Sequence, residues 1–87
     1  MDLGDSELKA KLLEKLARRR CWHNRHTSFE DSIKRGFKAK YHKRLKNIAK
    51  ELVKENILLS WRTGYGKRIS LNHERSEEIK RIIGELI

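Results

Sequence analysis

The sequence predicts an α+β fold, on two observations. Apolar residues recur at helical spacing in four stretches, and between the third and fourth stretches their period changes from 3.6 to 2. The predicted order is helix, helix, helix, strand, strand, helix, forming a single domain over residues 1–87. No internal repeat, low-complexity segment or interdomain linker interrupts it.

The first helix carries Leu8, Leu12, Leu13 and Leu16, with Asp5 or Ser6 as the expected cap. It runs out in Arg18, Arg19 and Arg20, cations suited to a helix C-terminus. Residues 21–26 read as a connector holding Trp22. Thr27 and Glu30 stand in capping-box spacing and open a short second helix through Phe29 and Ile33, with Gly36 as its left-handed stop.

Residues 41–54 write two faces of opposite chemistry onto the third helix. Tyr41, Leu45, Ile48 and Leu52 form one stripe, flanked by Ala49 and Val53. Lys43, Lys46, Asn47, Lys50 and Lys54 occupy the other side, with no carboxylate among them. Asn56, which tolerates the left-handed conformation, is the expected end.

Alternation then takes over. Leu59 and Trp61 alternate with Ser60 and Arg62, which predicts that Leu59 and Trp61 lie on the covered side. Ile69 and Leu71 alternate with Arg68, Ser70 and Asn72. The turn Thr63-Gly64-Tyr65-Gly66 joins the two runs into a two-stranded antiparallel hairpin. Arg62, Lys67 and Arg68 bracket that turn. Asn72 is the expected cap of a last helix bearing Ile79, Ile82, Ile83, Leu86 and Ile87. This stripe is expected to pack on the first helix, and its open end leaves a homodimer through the C-terminal helix as an alternative use.

Charge is the strongest bulk signal. The formal net charge is +10, and residues 18–68 hold 16 basic against 4 acidic side chains. The remaining residues hold 6 against 8, so the excess lies in the middle of the chain. Such a balance points to nucleic acid, an anionic membrane or an acidic protein. No apolar run approaches the roughly 18–20 residues that span a bilayer. The acidic start, Met1-Asp2-Leu3-Gly4-Asp5, lacks the order of a signal peptide, so a cytoplasmic location is expected and no membrane partner. The single cysteine, Cys21, implies no internal disulfide.

Cys21, His23 and His26 lie close together, and His42 is a conceivable fourth donor. Closed zinc sites draw four ligands from separated pairs, and no second cysteine pair exists, so no metal or other cofactor is expected. Glu30 and Asp31 are accounted for by helix-start preference. With no glycine-rich phosphate loop, nucleophile elbow or paired-carboxylate constellation, catalysis is not expected either.

The run Ile48-Ala49-Lys50-Glu51-Leu52-Val53-Lys54-Glu55-Asn56-Ile57-Leu58 resembles the end of a recognition helix entering a first wing strand. Residues 62–68 resemble a wing, and Ile69-Ser70-Leu71-Asn72 its returning strand. On these residues the chain is similar to the winged-helix variant of the helix-turn-helix superfamily, in the style of small archaeal members. Two features depart from that pattern: Asn56 stands where a glycine is usual, and residues 36–40 are longer and more basic than a tight helix-turn-helix turn.

The resemblance implies binding to double-stranded DNA, as a transcription regulator or chromatin-associated factor. The lysines of the third helix would then meet phosphates or guanine edges, and Asn47 an adenine edge. Arg62, Lys67 and Arg68 would touch phosphates or a minor groove, and Tyr65 a phosphate or an unpaired base. The same basic surface would also serve an RNA-binding module, or a domain that docks on an acidic protein.

Overall fold

A computed structural model of the chain describes residues 3–22, 25–64 and 66–85. Among these, four α-helices pack against a three-stranded antiparallel sheet. The elements are α1 (Asp5–Arg18), β1 (Thr27–Ser28), α2 (Phe29–Lys34), α3 (His42–Lys54), β2 (Leu58–Thr63), β3 (Gly66–Leu71) and α4 (Ser76–Glu85). Short 3-10 turns at Ala39–Tyr41 and His73–Arg75 lead into α3 and α4.

The helix ends follow from local chemistry. Gly4, with no side chain to offer, occupies the N-cap of α1, so the expected cap from Asp5 or Ser6 is not formed. Asp5 is instead gripped by Arg44 of α3, whose Nε and a terminal nitrogen donate to the same carboxylate oxygen at 2.9 and 2.6 Å. Arg44 also donates to the Leu3 carbonyl, tying the start of the chain to α3.

Both α1 and α3 close with a Schellman arrangement whose left-handed residue is not glycine. Arg20 (φ 56°) serves α1, with Cys21 N–H reaching Leu16 O at 3.0 Å. Asn56 (φ 62°) serves α3 as the sequence predicts, with Ile57 N–H reaching Leu52 O at 2.9 Å. Asn72 then donates through its amide nitrogen to Asn56 O at 2.7 Å and accepts from Glu74 N–H at 3.1 Å. It caps the 3-10 turn before α4 rather than α4 itself.

α2 is capped one residue later than its sequence suggests. Ser28 Oγ, not Thr27, accepts from Asp31 N–H at 3.3 Å, because Thr27 is taken into β1. At the other end, Lys15 of α1 donates to Ser32 O at 3.0 Å and to Arg35 O. The ammonium thus satisfies carbonyls that the last turn of α2 leaves open. Gly36 follows at φ +90°, and a Cβ there would stand 3.3 Å from Lys15 Nζ.

The sheet order is β1-β3-β2, so the expected two-stranded hairpin gains a third strand from residues 27–28. Two residues are too short a run for alternation to reveal. The register pairs Leu58 with Leu71, Ser60 with Ile69, Trp61 with Arg68, and Arg62 with Lys67.

Directly paired residues share a face. Leu58, Ile69 and Leu71 therefore look inward together, and each is almost completely buried. Leu59 and Trp61 belong to the opposite face and do not join the core, which corrects the sequence-based placement of both. The sequence reading began its alternation one residue late, at Leu59. Leu58 is the inward member, and a run of two leucines carries no parity of its own.

The core unites Leu8, Leu12, Leu13 and Leu16 of α1 with Phe29 and Ile33 of α2 and Leu45, Ala49 and Leu52 of α3. Tyr41 joins it, its hydroxyl accepting from Leu3 N–H at 3.2 Å. Ile79 of α4 is fully buried, and Ile82 and Ile83 pack against the same cluster. The described part of the C-terminal stripe is thus spent on the core; Leu86 and Ile87 lie outside the described residues. No helix among the described residues is long and apolar enough to cross a membrane.

Candidate nucleic-acid interface

Helical periodicity leaves α3 with one buried ridge and one solvent-facing ridge. Lys43, Lys46, Asn47, Lys50 and Lys54 are all exposed, while Leu45, Ala49 and Leu52 are buried beneath them. At 1.5 Å per residue the cationic row from Lys43 to Lys54 is about 16 Å long. Neighbours along it stand three or four residues apart and repel one another by a few tenths of a kcal/mol each.

Two carboxylates approach the row from outside it: Glu51, which helical spacing already puts at its flank, and Glu30, which comes from α2. Glu30 of α2 lies 4.0 Å from Lys46, and Glu51 lies 3.8 Å from Lys54. Both pairs are exposed, and each is worth under about 1 kcal/mol. Among the described residues no carboxylate pairs with Lys43 or Lys50.

The hairpin meets this helix through Lys67. Strand parity turns Lys67 toward the core side of the sheet, where α2 and α3 lie, and its ammonium sits 4.7 Å from the centre of the Phe29 ring. That contact holds a cation over a buried aromatic and fixes where it points. Lys67 lines one shallow concavity of about 490 Å³ with Asn47, Lys50, Val53 and Lys54 of α3. Asp5 and Glu51 also line it, Asp5 in the grip of Arg44.

Arg62, directly opposite Lys67 in the register, is exposed on the same face. Arg68 is not. It pairs with Trp61 and Ser28 on the other face of the sheet, so the structure separates it from the α3 row. Thr63 pairs with Gly66 and donates through its hydroxyl to the Gly66 carbonyl at 3.1 Å, closing the hairpin. Tyr65 lies outside the described residues.

Other candidates resolve into scaffold. Cys21 is buried, its Sγ 3.8 Å from Arg19 O, and burial pushes its thiol above the ordinary range. His42 shares a hydrogen bond with Phe37 O at 3.0 Å, and His26 packs edge-on against Trp61. His23 lies outside the described residues. Among the described residues no group of three or more His, Cys, Asp or Glu side chains is arranged to hold a metal. The Lys15 ammonium is held below the usual lysine range by burial, then by Arg19 and Arg35, with Asp31 opposing. Its partners are the carbonyls at the end of α2.

What the sequence reading missed is the anchoring of Lys67 by Phe29 and the ion pairs Glu30–Lys46 and Arg44–Asp5. No sequence signal foretells them, because each joins elements far apart in the chain. Comparison of the chain with protein-family models, with curated proteins and with solved structures returned no match.

Proposed function

We propose that this chain is a winged-helix domain that binds double-stranded DNA without catalysis, using α3 as the groove-facing helix and the β2–β3 hairpin as a wing. The observation that carries the reading is the single concavity in which Lys67 of the hairpin stands beside Asn47, Lys50 and Lys54 of α3. Two successive elements, α3 and the hairpin that follows it, thereby offer cations to one anionic partner. The chain order is helix, strand, helix, helix, strand, strand, helix, with the first strand pairing the last, and α3 leading directly into the hairpin is what supports the reading.

A row about 16 Å long suits a major groove about 12 Å wide, into which an exposed helix can be laid. Lys43, Lys46, Lys50 and Lys54 would then meet phosphates and guanine edges. Asn47, in the middle of the row, is the side chain able to match an adenine edge with donor and acceptor together. Arg62 and Lys67 would hold the backbone beside the groove. A transcription regulator or chromatin-associated factor is the role these contacts fit.

Amide chemical-shift mapping with a short DNA duplex at moderate salt tests this. Shifts should concentrate at residues 43–54 and 62–67. An A-form RNA duplex, whose narrow major groove excludes a helix, should shift them far less. Equal shifts with both would move the reading to an RNA module. Absence of shifts with either would leave docking on an acidic protein as the use of the basic face.

A further inference from the structure

The hairpin has a second face that the duplex-binding reading leaves unused. Register and alternation put Leu59, Trp61, Thr63, Arg68, Ser70 and Ser28 on it, opposite the face that carries Lys67. Leu59 and Trp61 are half-buried yet absent from the core.

The Trp61 ring meets the His26 ring edge-on, with centroids 5.0 Å apart and planes at 81°. His26 stands one residue before β1, and β1 and β2 flank β3 on either side. The two rings therefore reach toward each other across β3. Ser70, which pairs with Leu59 on this face, is completely buried. Arg68 is the direct cross-strand neighbour of Trp61. Arg25, next to His26, is exposed. None of the residues that the register assigns to this face is acidic.

We infer that this outer face is a stacking platform for an unpaired nucleotide of DNA, with the base on the Trp61–His26 pair and the phosphate beside Arg68. A half-buried indole outside the core keeps part of a flat π-face for a base to stack on, and an adjacent guanidinium supplies the charge for the backbone. The inference rests on the nucleic-acid reading of the opposite face and extends it. A hairpin with cations toward a duplex on one side and an aromatic pair on the other suits a duplex that continues as a single strand.

The test compares a short blunt DNA duplex with the same duplex carrying a single-stranded extension. The extension should tighten binding about tenfold, the scale of one base–aromatic stack. Trp61→Ala should abolish that gain and leave blunt-duplex affinity unchanged, whereas Trp61→Phe should keep part of it. In a Trp22→Phe background, where Trp61 is the only indole, the extension should quench emission and the blunt duplex should not. If Trp61→Ala fails to fold, the Phe variant and the quenching decide.

A duplex that binds with no gain from the extension and no quenching overturns the platform while sparing the α3 reading. A gain that survives both Trp61 substitutions overturns it too. Failure of both DNAs to bind removes both readings together.

Discussion

Replacing Lys46 and Lys50 with alanine probes the electrostatic argument most directly. Apart from Arg44, which Asp5 holds, six cations lie on α3 or on the same side of the hairpin: Lys43, Lys46, Lys50, Lys54, Arg62 and Lys67. If each neutralises one phosphate, the slope of log K against log salt should be about −5.4, and in the double variant about −3.6. At an ionic strength of roughly 0.1 M each contact contributes about 0.9 of a decade relative to 1 M salt. The double variant should therefore bind about 60-fold more weakly, and the gap should narrow as salt rises.

The two positions should not contribute equally. Lys46 must leave Glu30, 4.0 Å away, to engage a phosphate, whereas Lys50 has no such partner among the described residues. The exposed pair is worth under about 1 kcal/mol, so Lys50→Ala should weaken binding up to about fivefold more than Lys46→Ala. Both side chains are exposed on a helix where alanine is the better helix former, and thermal stability should change by less than about 0.5 kcal/mol. Fluorescence anisotropy with a labelled duplex across a salt series reads both quantities. Parallel slopes for wild type and double variant would refute the argument, because the lysines would then release no counterions.

Gly36→Ala should destabilise the fold by about 1–2 kcal/mol, since φ +90° is strained for an L-residue and the new methyl stands 3.3 Å from Lys15 Nζ; thermal unfolding should show a fall of roughly 4–8 °C per kcal/mol. Asn72→Ala loses the bond to Asn56 O and the cap on Glu74 N–H, and denaturant titration should register about 1–2 kcal/mol. For Cys21, a thiol reagent at mildly alkaline pH should label the native chain far more slowly than the unfolded one, because burial both shields the sulfur and raises its pKa. The sign of the linked pH effect follows. The folded thiol holds its proton where the unfolded one has lost it, so stability is intact below about pH 8.5 and falls as pH rises through the folded value. Cys21→Ala should flatten that part of the stability–pH curve, measured by denaturant titration at each pH.

The residues that the sequence made legible are those whose pattern repeats within one element. Tyr41, Leu45 and Leu52 against Lys43, Lys46, Lys50 and Lys54 is a periodicity running over just more than three turns, and the structure buries and exposes these two sets as predicted, while Ile48, expected in the stripe, is half-buried and the flanking Ala49 is the fully buried one. Asn56 was readable for a related reason, since a left-handed helix end has few acceptable residues. Short or mixed patterns failed. Thr27 and Ser28 are two residues with the composition of a helix start, and only pairing with Ile69 and Arg68 makes them a strand. Asp5 looked like a cap because its partner, Arg44, lies 39 positions away.

The Leu58-Leu59 pair is the instructive case, because a slip of one residue inverts a strand. Taking Leu59 as the inward residue sends Trp61 to the core; taking Leu58 sends it to the surface. The burial of Ile57 and Leu58 at the end of α3 decides the matter, and it depends on the Schellman turn at Asn56. That turn fixes how the chain leaves the helix and therefore which strand residue first meets the core. The same parity sends Lys67 toward α3 and Arg68 away from it. One left-handed residue at position 56 thus sets which cation joins the helix row and which stands beside the half-buried indole. Asn56→Ala, which removes the side chain best suited to φ 62° outside glycine, should disturb both faces of the hairpin together, whereas Asn56→Gly should preserve both.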